Sequence, residues 1–413
     1  MAYNLPNAKR EDCFLKPFKI LIPFALVFAL LFGTPVFATE QGSIYPPAFE
    51  AFEEWMESTP AATLTGDLGC KAALLMEAST GRVLYKSNET EHLPIASVTK
   101  IMSTLLVAEA IDGGKITEND MVTVSAYAAS MGGSQVFLEA GEQMSVDELL
   151  KCLIVVSAND DAVALAEHIY GSADSFIAAM NSRADELGME NTEFVNTTGL
   201  DDGGYSSALD VALMTRELLT HPLIFKYTTI WMDTIRNGAF GLSNTNRLVR
   251  FYKGANGMKT GFTTEAMYCV SATAERDGMQ LIAVVLGSPT SDKRFGAAKQ
   301  MLDFGFANYA VKVPELPVLE ELAVKGGREK SVALAATSPS LLTEKGTGEI
   351  KAAVELPENL TAPVKEGEKV GEIIYSLGEK ELCRVDITAA KEVKTVSFSF
   401  VLGLVWKKIL SFV

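Results

Sequence analysis

Two apolar runs, Ala72–Met76 and Val83–Tyr85, flank a Ser79-Thr80-Gly81 break within residues 71–86 and read as two strands of a hairpin that opens a domain. After Pro94 a helical period takes over. Ile101, Met102, Leu105, Leu106 and Ala108 recur at helical spacing and Gly113-Gly114 ends the run, so Ser97 to Ile111 reads as a mostly buried helix. Further helices are predicted at 145–156, 160–170, 173–187 and 207–220. Strands return at Ala266–Glu275 and Gln280–Leu286, separated by the turn Arg276-Asp277-Gly278, and 292–308 closes the domain as a helix. Strands at both ends with helices between them describe a mixed sheet assembled from distant segments. Beyond Tyr309 short alternating runs (Glu349–Leu356, Lys369–Tyr375) and turn clusters (Lys325-Gly326-Gly327, Lys345-Gly346-Thr347-Gly348) predict a small all-β domain over 314–392.

The two ends of the chain have their own patterns. Basic residues Lys9, Arg10, Lys16 and Lys19 precede an apolar run from Ile20 to Phe37 and a small-x-small pattern, Val36-Phe37-Ala38, so residues 1–38 read as a secretory signal. A retained anchor is the alternative, but Pro23, Gly33 and Pro35 interrupt the run. In 393–413, helical spacing places Phe398, Val401, Leu402, Val405, Trp406, Ile409 and Phe412 on one side and Ser399, Gly403, Lys407 and Ser411 on the other. A helix of this kind lies in the plane of a membrane surface, with Lys407 and Lys408 at the headgroups; packing on the protein's own core is the other reading.

Composition narrows the chemistry. The 413 residues carry 36 basic and 52 acidic side chains, a net charge of −16, which disfavours nucleic acid as a partner. Three histidines (His92, His168, His221) and no Cys-x-x-Cys pair make a metal centre hard to build, and no cofactor is implied. Cys152 and Cys269 sit in apolar surroundings and read as small buried hydrophobes.

With so little histidine, a hydrolase here needs another base. Ser97-Val98-Thr99-Lys100 puts a serine at a helix start and a lysine one turn later on the same face, and the helix N-terminus supplies N–H groups that favour an oxyanion. A lysine serves as base only where burial or neighbouring cations lower its pKa. Alone the tetrapeptide is weak evidence, but it is the only Ser-x-x-Lys in the chain, and Ser157-Ala158-Asn159 and Lys259-Thr260-Gly261 follow in order.

These three elements resemble the serine penicillin-recognising enzymes. Their flanks, Leu93-Pro94-Ile95-Ala96-Ser97-Val98-Thr99-Lys100-Ile101-Met102, Asn159-Asp160-Asp161-Ala162, Leu187-Gly188-Met189-Glu190-Asn191-Thr192, Asn244-Thr245-Asn246-Arg247-Leu248 and Gly257-Met258-Lys259-Thr260-Gly261-Phe262-Thr263, are similar to the low-molecular-mass D-alanyl-D-alanine carboxypeptidases. The resemblance is dense over about 60–310. It implies an α+β penicillin-binding-protein-like catalytic domain (39–310), an antiparallel sheet flanked by helices with a helical subdomain, followed by the small β domain.

It also implies roles. Ser97 would attack the carbonyl between two D-alanines at the end of a peptidoglycan stem, with Lys100 as base and Ser157 relaying a proton. Asn159 would hold the substrate backbone, Lys259 and Thr260 the terminal carboxylate, and Gly261 would let the strand approach the substrate. The backbone N–H groups of Ser97 and Phe262 would form the oxyanion hole. β-Lactams would acylate the same serine, and the enzyme would work outside the cell, at the outer face of the cytoplasmic membrane. The chain departs from the family's usual Ser-Gly-Asn at Ala158, which puts catalytic tuning in doubt, and Arg247 reads as structural. Rival readings are a penicilloyl sensor or inactive wall scaffold, an endopeptidase or transpeptidase acting on cross-linked stems, and a β-lactamase, whose Glu-x-x-Leu-Asn element is missing.

Overall fold

The computed structural model describes residues 64, 67–200 and 202–410. The 1–38 signal and Phe412 lie outside the described residues.

The hairpin forms as predicted, with β1 at Ala72–Glu77 and β2 at Val83–Ser87. Three more strands, β3 (Ala255–Thr263), β4 (Met267–Arg276) and β5 (Met279–Ser288), complete a five-stranded sheet in the order β2-β1-β5-β4-β3. All four pairings are antiparallel, as the family resemblance implies, which corrects the mixed sheet read from the order of the strands alone. The physical reason is connection length: β3, β4 and β5 are joined by short turns, and a turn of a few residues can only reverse the chain.

The inner strands β1 and β5 are mostly apolar and buried on both faces, while β2 at the edge is half-buried. Alternation then decides which core each residue joins. Leu74, Met76, Ile282 and Val284 meet α1 (Lys100–Asp112) and a later helix at Ala208–Leu218. Leu75, Val270, Ala272, Leu281 and Ala283 face the closing helix, Ser291–Asn308, through Phe295, Met301 and Leu302. Helix α1 is buried on nearly every side from Lys100 to Ala108, its apolar residues enclosing the polar Lys100, Ser103 and Thr104.

A second, helical core holds α2 (Val146–Val155) and α3 (Asn159–Tyr170), with Leu149, Leu150, Leu153, Val163 and Leu165 inside and a short hairpin of Met121–Thr123 and Gln143–Ser145 on its flank. Helix α4 follows at Ala173–Glu186, α5 is the Ala208–Leu218 helix and α6 the Ser291–Asn308 helix. Ser145, Ser172, Ser207 and Thr290 cap the starts of α2, α4, α5 and α6, each accepting an N–H from three residues on. Cys152 and Cys269 are buried and unpaired, in keeping with their reading as small hydrophobes.

Beyond Tyr309 the chain is β-structured to Ala389, with Lys369–Leu377 pairing on one side with Ile350–Glu355 and on the other with Lys380–Ala389 around Val370, Ile373, Tyr375 and Ile387. Arg82 on the β1–β2 hairpin donates at 2.8 Å to the carbonyl of Leu342, on the strand Leu341–Glu344 that pairs with Tyr309–Lys312. The last described element, α7 (Phe398–Leu410), keeps Phe398, Val401, Leu402, Val405, Trp406 and Ile409 exposed, so its apolar side is not packed on a core. No helix among the described residues is long and apolar enough to cross a membrane.

Candidate active site

Ser97 stands in a single 3-10 turn, Ala96–Thr99, that runs directly into α1. The sequence pattern starts the α-helix at the serine; the structure starts it at Lys100, and the tighter turn brings the two side chains together. Lys100 Nζ lies 3.0 Å from Ser97 Oγ, and donates to Asn159 Oδ1 at 2.5 Å and to the Thr198 carbonyl at 2.9 Å. The amine is wholly buried. A neutral amine has two N–H groups and one lone pair; the two carbonyl-type oxygens use both N–H groups, which leaves the lone pair for the serine hydroxyl. Burial, reinforced by the charge of Lys259 and opposed by that of Asp160, holds the Lys100 amine well below the ordinary lysine range.

Each partner of the lysine is placed by a different segment. Asn159 opens α3, and its Nδ2 donates to Gly132 O at 2.6 Å. Thr198 belongs to a turn that Asn196 builds, its Oδ1 accepting the N–H of Thr198 at 3.0 Å and of Gly199 at 2.5 Å. Gly199 is required there: φ is +72°, and a β-carbon would lie 1.9 Å from the Ala96 carbonyl oxygen. Ala96 itself has φ 48° and Ser157 φ 66°, both in the left-handed region that non-glycine residues adopt at a cost. Ser157 is buried and its hydroxyl has no hydrogen-bond partner among the described residues. Ala158 is extended at φ −60°, so its added methyl meets no backbone conflict and packs in the helical core.

The third element lies on β3. Gly261 is the point of closest approach between strand and serine turn: a β-carbon there would sit 2.6 Å from Ile95 O and 3.1 Å from the Ser97 backbone nitrogen. The strand's next residue, Phe262, turns its ring outward onto Tyr268. Thr260 donates through Oγ1 to Thr245 Oγ1 at 2.8 Å, and Thr245 in turn donates its N–H to Val155 O at 3.1 Å at the end of α2. Lys259 is buried, donates to Thr260 O at 3.1 Å, and is pushed down to about 7 by burial and by the neighbouring Arg294 charge. Asn244 and Asn246 support this region through Ile230 O and Gly257 O, while the Arg247 guanidinium pairs with Asp292 at the surface.

All the residues singled out in the sequence (Ser97, Lys100, Ser157, Asn159, Lys259, Thr260, Gly261 and Phe262) therefore come from the 3-10 turn and α1, from the α2–α3 junction and from β3. Pattern reading missed Thr198, Gly199 and Arg294. Arg294 reaches from α6 to the carbonyls of Gly261 and Cys269, both at 3.0 Å, and nothing in the spacing of that helix distinguishes it from a solvated arginine.

Residues 56–290 match the family described as D-alanyl-D-alanine carboxypeptidase, and 315–395 match the penicillin-binding protein 5 C-terminal domain. The chain belongs to the D-alanyl-D-alanine carboxypeptidase family. It is 42% identical, over 79% of its own length and 87% of the relative's, to D-alanyl-D-alanine carboxypeptidase DacF of Bacillus subtilis. Among solved structures it is similar to penicillin-binding protein 5 of Haemophilus influenzae, with a TM-score of 0.71 and 33% identity over 81% of this chain and 100% of that one. Penicillin-binding protein D2 of Listeria monocytogenes, solved in its ampicillin-bound form, superposes with a TM-score of 0.52 at 35% identity, covering 59% of this chain and 99% of that one.

The approach of β3 to the serine turn leaves no room for a methyl group. Gly261→Ala is expected to stay folded by thermal melt but to acylate with penicillin roughly a hundredfold more slowly; labelling at the parent rate would show that the strand has slack.

Proposed function

We propose that the chain is a serine-type D-alanyl-D-alanine carboxypeptidase that removes the terminal D-alanine from peptidoglycan pentapeptide stems through an acyl enzyme on Ser97, and that β-lactams inhibit it by acylating the same oxygen. The observation that carries the reading is the dry Lys100 amine, whose two N–H groups are taken by Asn159 and Thr198 and whose third contact is Ser97 Oγ.

In the first half-reaction Lys100 takes the Ser97 proton as Oγ attacks the carbonyl between the two D-alanines. The N–H groups of Ser97 and Phe262 stabilise the oxyanion. Ser157, whose hydroxyl has no competing partner among the described residues, carries the proton on to the leaving amine. Lys259, charged when a carboxylate docks against it, and Thr260 hold the terminal carboxylate; Asn159 has its second amide hydrogen free for the substrate backbone. Water then attacks the ester on Ser97, and the tetrapeptide leaves with Ser97 regenerated.

The place of action follows from the two ends. Residues 1–38 export the protein and are cleaved, the catalytic domain spans 39–310 and the β domain 314–392, and the 393–413 segment attaches the enzyme to the outer face of the cytoplasmic membrane through the exposed apolar side of α7. That side carries Phe398, Val401, Leu402, Val405, Trp406 and Ile409 at 45–84% exposure, which a water-facing helix has no reason to keep.

D-Alanine release from a diacylated Lys-D-Ala-D-Ala tripeptide is expected from the parent and absent in Ser97→Ala, and kcat/KM is expected to be bell-shaped in pH. Its acid limb marks protonation of Lys100, which removes the base, and its alkaline limb, near pH 7 in the free enzyme, marks loss of the Lys259 charge. A profile flat through neutrality, or release by Ser97→Ala, contradicts the assignment. Deleting 393–413 is expected to leave turnover on the tripeptide unchanged and to abolish sedimentation with anionic vesicles; equal sedimentation of both forms places the attachment elsewhere.

A further inference from the structure

Asp160 follows Asn159 directly and has no part in the chemistry above. It is fully buried in the first turn of α3, where its carboxylate accepts the backbone N–H groups of Val136 at 3.1 Å, Leu138 at 3.0 Å and Asp161 at 3.2 Å. Burying a carboxylate is costly unless its oxygens are satisfied, and here two of the three donors belong to one loop. That same loop serves the neighbouring residue: Gly132 O takes Asn159 Nδ2 at 2.6 Å, and Ser134 O takes the Asn159 backbone N–H at 2.7 Å. The loop is therefore stitched to the start of α3 alternately through Asn159 and Asp160. From the outside Arg236 holds it as well, donating to Val136 O at 2.8 Å and Phe137 O at 3.3 Å while pairing with Glu142 at 2.8 Å. Phe137, between the two Asp160 contacts, is held at φ 59°, a strained conformation for a phenylalanine.

The charged and titratable groups around Asp160 are few. Asp161 beside it is buried, neither of its carboxyl oxygens has a hydrogen-bond partner among the described residues, and burial together with the Asp160 charge pushes its carboxyl well above the ordinary range. Burial likewise pushes the Cys152 thiol far up, which keeps it neutral. Arg236 lies on the outer side of the loop, and Lys100 and Lys259 lie on the catalytic side. The Asp160 carboxylate lies at a helix N-terminus, which favours its charge, and that charge acts on the catalytic lysine.

We propose that Asp160 is a positioning residue: its carboxylate ties the loop 132–138 across the start of α3 and so fixes the Asn159 amide that holds Lys100. The proposal rests on the reading of Lys100 as the base. Asp160→Asn keeps the size of the side chain but turns an NH2 group toward a backbone N–H, leaving two buried donors facing each other. It also removes the charge that supports the protonated lysine.

The test measures the rate of acylation by fluorescent penicillin as a function of pH, with a thermal melt of each variant. Asp160→Asn is expected to acylate roughly ten- to a hundredfold more slowly at its optimum and to shift its acid limb to lower pH, because Lys100 loses a neighbouring negative charge. Asp160→Glu, which retains the charge but cannot keep the same three N–H contacts, is expected to lose rate with the limb in place. A folded Asp160→Asn with the parent rate, or with lower rate and an unmoved limb, overturns the proposal. Should Asp160→Asn fail to fold, Arg236→Gln decides: loosening the same loop from its outer side is expected to slow acylation severalfold with the limb unmoved, and acylation at the parent rate overturns the proposal. Normal labelling of Lys100→Ala would defeat the reading of the base itself, an outcome separate from all of these.

Discussion

Everything at this site depends on keeping one lysine amine out of water. A solvated Lys100 would be an ammonium at neutral pH and useless as a base. The fold removes the water by placing the lysine at the start of a helix that is buried on nearly every side, and then satisfies the amine with oxygens from two other segments, Asn159 and Thr198, so that burial leaves no polar group unpaired. The nearby Lys259, itself buried and repelled by Arg294, adds to the pressure toward the neutral form.

This constraint accounts for the strained positions around the serine. Ala96, Ser157 and Gly199 all have positive φ, and each belongs to a segment that must bring a backbone or side-chain oxygen or a hydroxyl to the same small volume. Gly199 and Gly261 both lie where backbone meets the serine turn closely, the first against Ala96 O and the second against Ile95 O and Ser97 N. The antiparallel sheet supplies rigidity: β3 is hydrogen-bonded to β4 along its length, and Arg294 fastens both strands from behind through the carbonyls of Gly261 and Cys269. A site whose groups ride on a strand, a helix start and a helix junction can hold positions that loops alone would not.

Much of this was legible in the sequence, for identifiable reasons. The helices have a clean period, the hairpin and closing strands are β-rich runs bounded by turn residues, and Ser97, Lys100, Ser157, Asn159, Lys259 and Gly261 stand in short motifs whose order survives without any alignment. Strand direction was not legible in the residue pattern of the strands themselves; the family resemblance and the Arg276-Asp277-Gly278 turn carried it, and the short β3–β4 and β4–β5 turns enforce it. Thr198 acts through its carbonyl, which any residue has, so no side-chain pattern could mark it. Arg294 and Asp160 matter because of what lies behind the motif strand and above the helix start, relations across 33 and 24 positions of chain that exist only once the chain is folded. The start of α1 was misplaced at Ser97 because a 3-10 turn and a first α-turn share their residue preferences.

The central claim, a neutral Lys100 in the resting enzyme, is most directly tested by following lysine ε-carbon resonances of the full chain through a pH titration, with Lys100→Arg to assign the signal. The account predicts one resonance, absent from the variant, that changes protonation well below the ordinary lysine range. A Lys100 signal that titrates with the surface lysines near pH 10 would contradict it.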